Sequence, residues 1–327
     1  MAYPTTTLET LRPDLGGSML EYPLDAMNNG FIGLEVLPVL EADKQSGSFG
    51  IIPVEQLLKV PEVSRTSNSG YSRGGFTFQD DSYSTKEYGY EEPVDERNKA
   101  IYSSYFDMEL ISALRARSII LRRAEIRYAA AIYNTSTWTG ASLTTAVTNE
   151  WDDYTNAVPI NDVEGAVRKV YDGTGLWPNA LIMNRKVFRN LRLCDQIVDA
   201  IRSAGAGNPT KASDITTNML SAVFDLPKII VAGGAYDSTT EGQTASLTDI
   251  WSSEYAMVAR VATTNDIAEP CIGRTIHWAA DGSSIGGVVE SYYSPEVRAN
   301  IIRVRHEVTE KILYAQCGHL LSNVTTI

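Results

Sequence analysis

The sequence predicts an α+β fold in which extended segments and one long helix precede an α/β region and a β-rich end. Residues 46–92 contain two extended stretches around a Ser/Gly-rich middle. Residues 95–134 contain neither glycine nor proline, and residues 302–309 alternate between apolar and polar side chains. These patterns favour a hairpin, a long helix and a half-buried strand, respectively.

Composition and charge limit the classes of protein to which the chain belongs. Of its 327 residues, 43% are hydrophobic and 21% charged, so a folded globular protein is expected rather than a disordered one. The formal net charge is −12, whereas specific DNA-binding proteins concentrate positive charge. We therefore expect any contact with DNA to be non-specific.

Membrane insertion and secretion are not expected. No apolar run approaches the roughly 20 residues needed to cross a bilayer. The first residues lack the basic start and apolar stretch of a signal peptide. Synthesis in the cytosol without a membrane partner is the resulting expectation.

Residues 1–45 are expected to form an extended arm, because prolines and glycines recur from Pro4 to Pro38 and interrupt any long helix. One short helix is expected near residues 24–29. The apolar residues between Phe31 and Leu40 should pack on another surface. The hairpin of residues 46–92, with a loose tip at 67–75, should do the same, since an isolated two-stranded hairpin is marginally stable in water.

Residues 95–134 predict a single helix of about 60 Å. Pro93 precedes it, and Asp95 and Glu96 suit the positive end of the helix dipole. One face carries an apolar stripe that should be buried: Ile120, Ala124, Tyr128 and Ala131.

From residue 161 the pattern becomes α/β. A helix ends near Gly175, and a strand over 179–184 precedes one helix over 185–205. A short helix at 216–224 and a strand at 227–236 follow, and residues 271–327 are rich in strands. On the last alternating strand His306 shares a face with Val304 and Val308, which indicates a packed histidine rather than a catalytic base.

Motifs of catalysis are weak, and no catalytic, cofactor-binding or metal-binding residue is assigned. GxSxG occurs at 70–74 and 282–286, but a nucleophile elbow requires a strand before the serine and a helix after it. Neither match has that context. The three cysteines have no paired spacing and are expected to be reduced thiols, and Cys317 with His319 supplies too few ligands for zinc. The cysteines are Cys194, Cys271 and Cys317.

The order of these elements, together with four short segments, resembles a known family. The segments are Trp177–Met183 with Lys186–Phe188 and Leu191, Leu220–Val231, Leu247–Trp251, and Val297–Leu321. They are similar to the axial-domain and C-terminal segments of the major capsid proteins of tailed bacteriophages, which have the Hong Kong 97-like fold. The resemblance covers nearly the whole chain, and its specificity comes from the order of the segments.

The resemblance implies five segments: an N-terminal arm (1–45), an extended loop formed by the β-hairpin (46–92), a peripheral domain with the spine helix (93–160), an axial domain (161–270) and a β-rich return to the peripheral domain (271–327). It implies a structural protein of the virion, not an enzyme, that assembles through hexamers and pentamers into an icosahedral shell around double-stranded DNA. Assembly would take place in the host cytoplasm.

A portal protein and a decoration protein are further partners that the resemblance implies. Because the first 45 residues cannot form a long helical scaffold segment, we expect a separate scaffolding protein. Three alternatives stay open: an encapsulin-type nanocompartment, a gene-transfer-agent shell, and, from another class, a cytosolic hydrolase. A shell protein should elute as capsomers or larger particles, whereas a hydrolase should elute as a small oligomer.

Overall fold

The computed structural model describes residues 29–51, 53, 56, 58–75, 77, 79–103, 107–203, 214–240 and 242–326. In its first half the elements are α1 (Gly33–Val36), β1 (Val39–Ala42), β2 (Ser46–Ile51), β3 (Gln79–Ser84), β4 (Lys86–Asp95), α2 (Glu96–Tyr102), α3 (Met108–Ile132), β5 (Thr144–Ala146) and α4 (Pro159–Thr174). The second half contains β6 (Ala180–Asn184), α5 (Arg185–Leu191), α6 (Asp195–Ser203), α7 (Thr217–Phe224), β7 (Lys228–Ala232), β8 (Ala235–Asp237), β9 (Leu247–Asp249), β10 (Ala256–Ala259), β11 (Gly273–Trp278), β12 (Val288–Ser294), β13 (Ala299–Ile312) and β14 (Gly318–Ser322).

The first sheet is built around the long strand β13. Strand β4 pairs along one edge of β13, and β12 and then β11 pair along the other, all antiparallel. Strand β1 adds to β11 in parallel. The predicted alternation is confirmed, because Ile302, Val304, His306 and Val308 are all buried. Helix α3 packs over β4 and β13.

The second sheet has the strand order β5-β14-β10-β6-β7 and contains the main apolar core. Helices α4, α6 and α7 pack together on it, and the side chains of Trp151, Leu181 and Met183 are fully buried there. Strands β5 and β14 lie in this sheet, although the predicted division placed residues 144–146 and 318–322 outside the axial segment. The division itself remains a prediction.

The spine is shorter than predicted, because the single helix expected over 95–134 is two helices. Asp107 has extended backbone and its carboxylate accepts hydrogen bonds from the N–H groups of Glu109 and Leu110, so it caps a new helix. Helix α3 has 25 residues, about 37 Å. A capping aspartate inside a segment predicted as one helix can therefore mark a helix boundary, as a glycine does.

The predicted apolar stripe on the spine is largely correct. Ile120, Ala124 and Tyr128 are buried, whereas Ala131 is half-buried and Ile132 takes the buried position one residue later. The helix predicted over 185–205 is also two helices, α5 and α6, separated by a turn at Arg192–Cys194 in which the N–H of Cys194 donates to the carbonyl of Leu191.

The surface expected to cover the apolar residues of the arm belongs, for the arm's described end, to the same chain. Ile32, Val36 and Leu37 are buried in an apolar cluster between α3 and the second sheet, and β1 pairs within the first sheet. Of the short helix predicted near 24–29, residues 24–28 lie outside the described residues and Asn29 is in a turn. The described helix is α1, four residues further on.

Candidate subunit-contact surface

The hairpin of β2 and β3 has little support from the rest of the described molecule. Its strands pair over six residues each and form a sheet of their own. Residues 58–75 are exposed and include Val60 at 90%, Val63 at 79% and Tyr71 at 74% relative exposure. Leu58 lies next to Gly175 at the end of α4 but remains 60% exposed. Exposed apolar side chains in such a segment mark a binding surface.

The base of the hairpin, in contrast, is firmly anchored to β13. The buried carboxylate of Glu307 accepts hydrogen bonds from Gln45 Nε2 at 2.9 Å and from Thr85 Oγ1 at 2.8 Å. Lys311 Nζ lies 2.6 Å from the Asp81 carboxylate. These contacts fix the direction in which the hairpin leaves the first sheet, while its far end stays uncovered.

The outer face of β13 carries a ladder of ion pairs. Arg303 Nε lies 2.6 Å from a Glu91 oxygen, and Arg305 Nη1 lies 2.6 Å from an Asp281 oxygen. Burial opposes ionisation of Asp281, but the N–H of Ser283 and the Arg305 guanidinium outweigh it and hold the pKa of Asp281 below its usual range. The outer face of β13 is therefore charged, and its arginines pair with carboxylates of adjacent segments. Such a face can contact neighbouring elements without an apolar core.

A buried carboxylate, Glu125, joins the arm, the spine and the loop that connects β9 to β10. It is 2% exposed, and its oxygens accept hydrogen bonds from the N–H of Ile32 at 2.8 Å, the N–H of Gly33 at 2.9 Å and Trp251 Nε1 at 2.6 Å. Burial raises the pKa of Glu125, and these donors oppose the rise. A Cβ at Gly33 would lie 1.9 Å from the ring of Tyr128, so the arm can approach the spine this closely only if position 33 is glycine.

Sequence reasoning did not identify Glu125, Glu307 or their partners as anchors. A carboxylate between two apolar positions of a helix, as in Ala124-Glu125-Ile126, was the available signal for the first. Glu307 gave no such signal, because a glutamate on the predicted polar face of a strand is ordinarily solvated.

The histidines and cysteines occupy structural positions. His306 lies edge-on to the ring of Tyr88, and both ring nitrogens of His319 have partners in the carbonyl of Ser142 and the hydroxyl of Thr145. All three cysteines are buried and unbridged. Among the described residues, no group of three or more His, Cys, Asp or Glu side chains is arranged to hold a metal ion.

The two GxSxG matches lie in the contexts expected of loops. Residues 70–74 are exposed, and residues 282–286 precede strand β12. Ser283 Oγ donates to the carbonyl of Trp278 at 2.7 Å and lies 3.0 Å from His277 Nε2. Since the hydroxyl proton is committed, His277 is the donor in that contact, opposite to the direction of a catalytic base.

In the part of the chain that the structure describes, the helices are too short or too polar to span a bilayer.

The chain is similar in sequence and in fold to known proteins. No family model matches the chain. It is 21% identical over 305 residues to the major capsid protein of Burkholderia phage BcepMu, which covers 91% of this chain and 92% of that protein. It is 22% identical to the major capsid protein of Pseudomonas phage JBD67, with 90% and 92% covered. The chain is a relative of phage major capsid proteins.

Solved structures show that this relative of the capsid proteins also has their fold. A phage-related protein of Bordetella bronchiseptica RB50 superposes with a TM-score of 0.65 at 20% identity, covering 90% of this chain and 92% of that one. The capsid of cyanophage P-SCSP1u gives a TM-score of 0.59 at 10% identity, with 94% and 93% covered. An encapsulin of Synechococcus elongatus PCC 7942 gives 0.55 at 9% identity, with 95% and 93% covered.

Proposed function

We propose that this chain is the major structural protein of a tailed-phage head and assembles through hexamers and pentamers into an icosahedral shell around double-stranded DNA. The observation that carries the proposal is the hairpin: its base is held by Glu307 and Lys311, yet residues 58–75 are exposed. An exposed, partly apolar element with a fixed base is suited to bind a neighbouring copy of the protein.

The chain's segments take proposed roles in such a shell. The first sheet and the spine form the peripheral domain, and the second sheet with its helices forms the axial domain, to which β5 and β14 also belong. The hairpin would contact neighbouring copies. A separate scaffolding protein, a portal protein and a decoration protein are the proposed partners, and the virion is the proposed location.

The role is structural rather than catalytic. The curated relatives are named major capsid proteins. In the contact between Ser283 and His277, the serine hydroxyl donates to the carbonyl of Trp278 and not to the histidine, whereas acyl transfer requires the histidine to accept that proton.

A nanocompartment shell is the second candidate, because an encapsulin shares the fold. The relatives by sequence are phage capsid proteins, which favours the phage head. The two functions differ in content: phage heads enclose DNA, whereas nanocompartments enclose protein.

Electron microscopy of the purified full chain tests the proposal. We expect capsomers or closed shells, and in particles from infected cells we expect DNA that resists added nuclease. A stable monomer of about 36 kDa at high protein concentration and in several salts would contradict a shell function. Particles that hold protein cargo and no protected DNA would replace the phage head with the nanocompartment.

A further inference from the structure

A concave pocket opens at the edge of the second sheet where two parallel strands end. Strands β6 and β7 run parallel, and their last residues, Asn184 and Ala232, are paired. The pocket encloses about 230 Å³, far more than the roughly 10–15 Å³ that a single water requires. Ligands of open α/β sheets bind in the crevice outside the carboxyl ends of such strands. The pocket occupies the corresponding place beside β6 and β7 in this mixed sheet.

Positive side chains dominate this pocket. Arg185, Lys186 and Arg189 line it, together with a single carboxylate, Asp249. Lys186 Nζ lies 2.7 Å from Asp249, so these two neutralise each other. The remaining charge is that of the two arginines, formally +2.

Neither Arg185 nor Arg189 has an ion pair or hydrogen bond among the described residues, although acidic residues outnumber basic ones by 12 in this chain. Both arginines lie on α5, four residues apart, and are exposed, so their charges are accessible to an anion that enters the pocket. Gly233 and Gly234 also line the pocket, and a Cβ at Gly233 would lie 4.0 Å from Arg185 Nη1.

We propose that this pocket binds a phosphate group. Guanidinium forks match the oxygens of a tetrahedral oxyanion with paired hydrogen bonds. A charge of +2 balances a phosphate that carries about −1.5 to −2 at neutral pH, whereas a single carboxylate would leave one arginine uncompensated. The charge match favours free inorganic phosphate; a nucleic-acid backbone phosphate offers the same P–O acceptors but only two free oxygens and a single negative charge, and it is the second source to test. This site goes beyond the proposed shell function and does not depend on it.

Isothermal titration calorimetry with inorganic phosphate tests the site on the full chain at constant ionic strength. The double variant Arg185→Gln/Arg189→Gln should lose about tenfold or more in phosphate affinity. The control Arg97→Gln/Arg123→Gln removes the same charge from two exposed helical positions outside the pocket, and it should bind phosphate like the unmodified chain. Circular dichroism should show that all three proteins are folded.

A short DNA duplex, measured by fluorescence anisotropy, distinguishes the two sources of phosphate. If the pocket takes a backbone phosphate, the duplex should bind the unmodified chain more tightly than the double variant, and inorganic phosphate should compete with it. If the pocket takes free phosphate only, the two chains should bind the duplex equally and differ in calorimetry alone.

Two results would overturn the site. Equal phosphate affinities for the unmodified chain and the double variant would mean that the arginines do not bind phosphate. If phosphate has no effect and the double variant also fails to assemble, the arginines bind a carboxylate of a neighbouring copy instead. Both results concern only the pocket, because electron microscopy of the unmodified chain decides the shell function separately.

Discussion

The two sheets of this molecule are stabilised in different ways. The second sheet is covered by helices and encloses a large apolar cluster that includes Trp151, Leu181 and Leu220. Among the described residues, the apolar cluster between the first sheet and the spine helix consists of Ala116, Ile120 and Val304. One region is built like an independent domain, and the other is not.

The first sheet adds charged and polar contacts to the buried face of β13 and leaves other apolar side chains exposed. Buried Glu307 holds the base of the hairpin, and Arg303 and Arg305 pair with carboxylates across the strands. On the edge strand β12, Tyr292 and Tyr293 are 43% and 50% exposed. The second region has its own apolar core, and the exposed side chains of the first are where the proposed neighbouring copies would bind.

A cavity in the second region should produce the largest loss of stability. Replacing Leu181, which is fully buried, with alanine should lower the free energy of unfolding by about 2–5 kcal/mol. The matched control is Val289→Ala on β12, where the side chain is 50% exposed and the expected change is within about 0.5 kcal/mol. Urea unfolding of unassembled subunits measures both, and equal losses would remove the contrast between the regions.

Glu125 tests the link between the regions. Glu125→Gln removes the negative charge that strengthens the hydrogen bonds from the N–H groups of Ile32 and Gly33. It also places an amide NH₂ group, a donor, where other N–H donors already point. We expect a loss of about 1–3 kcal/mol and faster proteolysis of the arm. Arg123→Gln, two residues earlier on the exposed face of α3, should leave both unchanged. An arm that stays protected in the Glu125 variant would show that its apolar residues alone hold it.

The buried histidines should make both regions sensitive to acid. Burial lowers the pKa of His306, beside the first sheet, and of His319, in the second, to about 4. A depressed folded-state pKa gives stability that is present above the unfolded value of about 6.5 and lost as the pH falls through 4. His306→Gln and His319→Gln should each weaken the pH dependence of the unfolding midpoint between pH 6.5 and 4. Unchanged curves would mean that neither histidine titrates on unfolding.

The smallest effect is expected on the charged face of β13. Arg303 is 39% exposed and its partner Glu91 is 43% exposed, so Arg303→Gln should cost at most about 1 kcal/mol. The loss should shrink further in 1 M salt, where charges are screened within about 3 Å. A loss as large as that of Leu181→Ala would show that the first sheet has a stabilising network after all.

Much of the fold was predictable because periodicity reports burial. The alternation of residues 302–309 predicted the buried face of β13, and the glycine at 175 predicted the end of α4 in left-handed backbone. The apolar stripe of the spine followed from the same kind of pattern. The hairpin predicted over 46–92 is correct for 46–84 only, because residues 86–95 form β4 and pair with β13 in the first sheet.

The missed features depend on contacts between residues far apart in the chain. Asp107 reads as an ordinary helix residue until its carboxylate caps the N–H groups of α3. The docking of Ile32 and Gly33 on Glu125 joins positions more than 90 residues apart, and hydropathy alone left the arm without a partner. The arginine pocket combines residues that follow the ends of β6 and β7. These two ends are adjacent because the strands pair in parallel, which the sequence does not reveal.

The central claim, that the hairpin serves a neighbouring copy, has a direct test. Residues 52–78 are replaced with a short Gly/Ser linker, which keeps the paired strands and their anchor at Glu307. As a control, the exposed loop 238–246 between β8 and β9 is replaced in the same way. Circular dichroism measures folding, and sedimentation velocity measures assembly. We predict that both variants fold, that the loop variant assembles like the unmodified chain, and that the hairpin variant remains as unassembled subunits. A folded hairpin variant that still closes into shells would contradict the claim.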